Sequence, residues 1–320
     1  MITYPIFLEF VKENILSYMP EEYSTCQIEN IRAIKENGQV FEGFAIVTDG
    51  KGYCCAPAFY CEEFYKMFQG TQNIDEVMHY IAAQYVYWDN EGKKFNFPDL
   101  KNFEEVKDLI GYSVVNERFS QEMLKGVLHK STEDLAKVYR VFMMDDDGCK
   151  SVKITNEILD VWEISESELD TIADRNMPNL FPPVVESVEH MMNYMLDIES
   201  IESKEGKCFS LGRDMYVLSN RQLSGGASVI FYPGLLESIR ESANEDFYIL
   251  PSSTEEVIIV SKNLHSAKWL GELVRAGNRD VTAQNEVLSD CIYEYTKESG
   301  KIRKVPESVL QVEKKRGLER

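Results

Sequence analysis

Residues Tyr248–Val260 read YILPSSTEEVIIV. Two uninterrupted aliphatic runs flank a short segment of proline, serine, threonine and glutamate. Proline has no N–H to give to a ladder, so Pro251 marks the end of a strand rather than its middle. The hydroxyls of Ser252, Ser253 and Thr254 can satisfy the amides of a turn. The stretch therefore predicts two strands, Phe247–Leu250 and Val257–Val260, joined by a turn at Pro251–Glu256. Aliphatic runs without polar alternation fit strands covered on both faces, so the pair is expected inside a sheet. The same turn raises a functional question. A nucleophilic serine needs a base within reach and oxyanion donors beside it, and PSSTEE supplies neither locally. Ser252, Ser253, Glu255 and Glu256 stand as candidate binding residues, and no catalytic residue is assigned.

Outward from this pair, MYVLSN and SVIFY both read as strands. Pro233 occupies a first helical position, and Leu235, Leu236, Ile239 and Ala243 supply a helical face. The order from Asp214 is thus strand, strand, helix, strand, strand. SAKWLGELVRAGN reads as a helix ending near Gly277, and NEVLSDCIYEY as another. Upstream, Ser165 and Glu168 have capping-box spacing, with Ile164 and Leu169 placed for a hydrophobic staple. They start a helix that runs toward Asn176, with Pro178 beyond. AKVYRVFMMDDDGCKSVKIT predicts a hairpin turning at Asp147-Gly148, preceded by a short helix and a strand around Tyr112–Val115. After Pro182-Pro183 a methionine-rich helix carries Met191, Met192, Met195 and Leu196.

The first hundred residues follow the same style. Phe7, Phe10, Val11, Ile15 and Tyr18 fit a helix stopped by Pro20. Asn37-Gly38 lies between two strand-like runs, and Asn-Gly accepts the positive φ angles of a tight type I′ turn. A short helix is expected before Gly70. A second opens at Asn73, with Ile74, Val77, Ile81, Tyr85 and Trp88 on one face. The fold class expected is α+β, with mixed or antiparallel sheets covered by helices in two lobes. The divisions expected are residues 1–130, residues 131–300 and a basic tail at 301–320.

The net charge is −20, unevenly distributed. The last twenty residues hold seven Lys/Arg and three Glu, leaving 27 basic and 51 acidic residues in the first 300, a net of −24. An acidic body repels phosphate, so no nucleic-acid partner is expected. The basic end could touch an acidic partner or fold back on the chain's own acidic body, but a solvated end is the favoured reading. No apolar run reaches the roughly 18 residues of a membrane span, and the N-terminus lacks the basic start of a secretory signal. A cytoplasmic location and no membrane partner follow as expectations. The seven cysteines are odd in number and irregular in spacing, which fits reduced thiols. Cys54, Cys55 and Cys61 with His79 lack the paired spacing of a zinc site, so neither metal nor cofactor is expected.

P-loop, dinucleotide-binding and nucleophile-elbow motifs are absent, and the four histidines, His79, His129, His190 and His265, are solitary. Two function classes remain. The first is a non-enzymatic binding, adaptor or regulatory protein with a protein or small-molecule partner. The second is a hydrolase or metal-dependent phosphodiesterase using Ser252 or Ser253, or acids from Asp145–Asp147 and Glu255–Glu256.

YILPSSTEEVIIV, with GASVIFYPGLLESI before it and IKENGQVFEGFAI near the start, resembles an uncharacterised domain-of-unknown-function family of anaerobic Gram-positive bacteria. The likeness covers most of the chain. It implies a bacterial cytoplasmic protein and carries no activity. The family pattern P-S-S-x-H-E places a histidine where this chain has Glu255, while Glu256 is kept. That departure counts against an essential histidine-dependent mechanism here.

Overall fold

The computed structural model describes residues 2–34, 40–47, 58–94, 98–145, 148–188, 211 and 214–310. The chain divides into two compact units, Met1–Asp99 and Leu100–Arg320.

In the first unit, a helix Tyr4–Asn14 starts with proline in its first turn, where a missing N–H costs nothing. Strands β1 (Gln27–Ile34) and β2 (Val40–Val47) pair antiparallel from Gln27↔Val47 to Ile34↔Val40. That register is the hairpin expected around Asn37-Gly38, although the turn itself lies outside the described residues. A two-residue strand, β3 (Phe59–Tyr60), joins β2. Gly43 permits this: a Cβ there would lie 1.9 Å from the Phe59 carbonyl oxygen. The helix Ile74–Lys94 opens with the expected cap, Asn73 Oδ1 accepting from the Glu76 N–H at 3.3 Å. Its Tyr85 reaches back to the sheet. The Ile46 N–H donates to Tyr85 Oη at 2.7 Å, and the hydroxyl donates to the Ile46 carbonyl at 3.2 Å. Phe7, Phe44, Phe59 and Tyr85 lie in the buried core around it.

Among its described residues the second unit holds two sheets. The smaller contains β4 (Ile110–Asn116), β5 (His129–Thr132), β6 (Leu135–Asp145) and β7 (Gly148–Lys153). Strand β6 is its spine. β4 pairs along one side of it, while β5 and β7 follow one another along the other. The larger sheet contains β8 (Pro183–Ser187), β9 (Tyr216–Asn220), β10 (Phe247–Pro251), β11 (Val257–Ser261), β12 (Tyr293–Tyr295) and β13 (Ile302–Lys304), in the order β13-β12-β10-β11-β9-β8. Every described strand pairing is antiparallel. The fold is α+β, as the patterning implied.

β10 and β11 lie inside the sheet, and Pro251↔Val257 is their last pair. Their side chains alternate between two cores. Phe247, Ile249, Val257 and Ile259 join the core that the helix Leu235–Ala243 and the smaller sheet also fill. Tyr248, Leu250 and Val260 face Ala267, Leu270 and Val274 of the helix Ala267–Asp280. Burial on both faces is why this pair shows no polar alternation.

Several local expectations give way to packing. SVIFY is not a strand. Gly226–Phe231 is a 3₁₀ helix entered through Gly225 at φ +58°, and Gly226–Ile230 is buried throughout, so periodicity could not separate the two. NEVLSDCIYEY is not a helix. Its last residues form β12, which extends the larger sheet through β10. The helix Glu166–Leu180 runs through Pro178 instead of stopping before it. Asn176 holds that last turn by donating to the Lys107 and Ile110 carbonyls at 2.7 and 2.9 Å. The second hairpin closes at Asp145↔Gly148, one residue earlier than expected. The division expected near residue 130 falls inside β5, and Asp134 is bound from afar by Ser289 (3.0 Å) and Tyr293 (2.7 Å). Residues Ile302–Lys304 are strand, so the basic segment begins as part of the larger sheet. Met191, Met192, Met195 and Leu196 lie outside the described residues. Trp162 closes the start of this unit, its indole N–H donating to the Leu100 carbonyl at 2.8 Å.

Candidate functional site

The Pro251–Glu256 turn brings the four sequence candidates together. Ser252 Oγ donates to Glu256 Oε1 at 3.0 Å. Ser253 Oγ accepts from the Glu255 N–H at 3.0 Å. Both serine N–H groups donate to the Glu256 carbonyl, at 3.3 and 3.2 Å. The Glu255 carboxylate turns toward the backbone, where Oε2 accepts from the Gly225 N–H at 2.6 Å and Oε1 from Thr254 Oγ1 at 3.3 Å. The Glu255 carbonyl accepts from Ser219 Oγ at 2.7 Å, and the Ala227 N–H donates to the Thr254 carbonyl at 3.1 Å. Thr282 Oγ1 donates to the Ser252 carbonyl at 3.1 Å, and the Thr254 N–H to the Glu286 carbonyl at 2.8 Å. The turn thus clamps the start of the 3₁₀ helix and the segment before β12.

Among the described residues no histidine hydrogen-bonds either serine. His79 lies 3.8 Å from Asp75 and packs edge-on against Tyr18. His129 Nδ1 donates to the Val127 carbonyl at 3.0 Å, and the His265 ring lies tilted against Trp269, 4.4 Å between centroids. His190, Cys54, Cys55, Cys208, Asp146 and Asp147 lie outside the described residues. Cys61 is buried, and burial first, then Glu62, pushes its thiol up to about 12.

A second region shows a different geometry. A groove of about 650 Å³ opens in the second unit, within the range of ligand sites. Lys130, Ser131 and Thr132 of β5 line one part of it, and Lys301, Ile302 and Arg303 at β13 another. β5 pairs only with β6, and β13 only with β12, so both present an unpaired outer edge among the described residues. Phe231, Tyr232, Leu236 and Tyr295 add apolar and aromatic lining. Arg303 and Glu133 stand 3.8 Å apart at one end.

A buried ionic network backs this groove. Lys137, only 6% exposed, is directly opposite Lys130 across the β5–β6 pair. Its ammonium donates to Asp174 at 2.6 Å and Asp170 at 3.0 Å, and it sits 4.5 Å from the Tyr112 ring centroid. Asp170 also accepts from Tyr139 at 2.8 Å and Lys130 at 2.5 Å. Burial alone would raise the Asp170 carboxyl, but Lys130, Tyr139 and Lys137 outweigh it and hold the group below its ordinary value. The strand period puts Lys137 and Tyr139 on one face, and the helix Glu166–Leu180 spaces Asp170 and Asp174 one turn apart above them.

Composition and motif reading did not single out this groove. The one signal was the run Lys301-Ile302-Arg303-Lys304, which sequence placed in a tail and the structure places at a sheet edge. No described helix is long and apolar enough to cross a membrane.

No curated protein and no solved structure matches the chain. Residues 4–297 match the model of the Family of unknown function (DUF5688), and with nearly its whole length covered the chain belongs to that family.

Proposed function

We propose that this is a non-catalytic binding protein that holds an extended polypeptide segment in the groove between β5 and β13. One observation carries the reading: two strand edges without partners among the described residues line a single groove that also offers aromatic and aliphatic side chains. An unpaired edge offers alternating N–H and C=O groups to an added strand, and pockets beside it read alternate side chains. The turn at 251–256 supports this reading by contrast, since its serines and glutamates bond one another and the surrounding backbone.

The test is a titration with blocked octapeptides of alternating threonine and valine. Saturable binding is expected, with loss when alternate amides in one register are N-methylated. Ser131→Trp, which fills the groove from its exposed β5 side, should abolish the same signal. Binding that ignores both N-methylation registers rules out strand addition.

The hydrolase alternative rests on a single contact, Ser252 Oγ to Glu256 Oε1. It requires that the carboxylate act as base and that oxyanion donors face the serine, whereas both serine N–H groups are committed to the Glu256 carbonyl.

A further inference from the structure

We infer that the occupant of this groove is an extended segment with carboxylate side chains two residues apart, read by Lys301 and Arg303. This deepens the binding reading above and rests on it. In a chain with a net charge of −20, the lining is more basic than the whole: Lys130, Lys301 and Arg303 stand against Glu133 and Glu237.

The three cations are differently committed. Among the described residues Lys301 has no carboxylate partner, and it is exposed. Arg303, also exposed, is 3.8 Å from Glu133, longer than a direct hydrogen bond. Lys130 is held by Asp170, but Asp170 keeps Lys137 and Tyr139 if Lys130 turns away. Lys130 can therefore exchange its partner for a ligand carboxylate without leaving a bare buried charge behind.

Strand geometry then sets the pattern. Lys301, the residue just before β13, and Arg303 within it are two apart and flank Ile302, whose side chain is buried. Residues two apart on a strand share a face, and an added strand places its own alternate residues opposite them. A matching segment therefore carries acid, any residue, acid. Opposite charges paired across adjacent strands stabilise and like charges destabilise, so a basic segment is disfavoured at the same positions.

The experiment uses three octapeptides on one valine framework, with glutamate, glutamine or lysine at alternate positions. Fluorescence anisotropy is read with the full chain at low and high salt. The glutamate peptide should bind about tenfold tighter than the glutamine peptide at low ionic strength, and the gap should close as salt shortens the screening length. Lys301→Glu with Arg303→Glu should remove that tenfold preference for glutamate over glutamine, because the cations that distinguish the two peptides are gone. Circular dichroism and an unchanged unfolding midpoint confirm that the double variant is folded, and Lys301→Gln alone serves if it is not. Equal binding of the glutamate and lysine peptides overturns the charge inference and leaves the groove reading standing. Failure of all three peptides to bind overturns both.

Discussion

The turn at 251–256 and the groove at β5 and β13 are opposite uses of polar chemistry. In the turn, each serine and glutamate side chain finds a partner inside the molecule: Ser252 on Glu256, Ser253 on the Glu255 amide, Glu255 on Gly225. In the groove, two backbone edges and the Lys301 ammonium find none among the described residues. A dense polar motif in the sequence satisfied the demands of folding. The groove proposed here for a partner is assembled from segments that look ordinary when read singly, since unmet hydrogen-bonding capacity at a surface is what a partner can use.

The largest expected effect lies behind the groove. Lys137→Met removes the cation between Asp170 and Asp174: Asp170 keeps Lys130 and Tyr139, while Asp174 loses its ammonium partner beside a second carboxylate. A loss of about 3–5 kcal/mol is expected from breaking a buried pair on one side, read as a lower denaturant midpoint. A loss under about 1 kcal/mol would mean that the network is no rigid wall and the contrast with the turn is weaker than drawn.

Gly226→Ala probes the turn. A Cβ there would sit 2.1 Å from both the Glu255 carbonyl oxygen and Ser219 Oγ. Backbone must shift to relieve the first clash, and a cost of about 2–3 kcal/mol is expected for such overpacking. Peptide binding in the groove should be retained in the folded fraction, since the shift is expected at Gly226 and the groove is lined from the far end of that 3₁₀ helix, at Ile230 and Phe231. Binding lost in parallel with intact folding would join the two regions into one.

Ser252→Ala should have the smallest effect, about 1 kcal/mol for one hydrogen bond. Thermal unfolding measures it. A change in groove affinity beyond about twofold, with the fold intact, would show that the turn does more than hold structure.

The α+β class was legible because burial leaves a direct imprint. FYIL and VIIV are apolar on both faces since each face packs on a different core, and Asn73 and Ser165 announce helices through caps that form as spaced. What stayed hidden were choices made by neighbours. Gly226–Ile230 is apolar but for Ser228 whether coiled or extended, and the Glu255 carbonyl comes too close to Gly226 for any Cβ, a contact that sequence does not show. Tyr293–Tyr295 becomes strand because β10 offers an edge, not because of a local preference. Four candidate residues at 252, 253, 255 and 256 were legible as a cluster, and their mutual bonding was not. The groove was hidden for a related reason: an edge exists only once the sheets are built, and Lys301–Lys304 reads as a tail until Ile302 is seen to be buried.

The bond from Trp162 to the Leu100 carbonyl has an optical consequence. Of the three tryptophans, Trp162 is 6% exposed, whereas Trp88 is 53% and Trp269 45% exposed. Only Trp162 passes from an apolar interior into water when the chain opens. A red shift of the emission spectrum therefore reports chiefly on the melting of Leu100–Arg320. The aromatic core around Tyr85 holds no tryptophan, so Met1–Asp99 can lose its packing with little change in that signal. Intrinsic fluorescence and circular dichroism, followed together, turn one denaturation curve into a separate measurement on each unit.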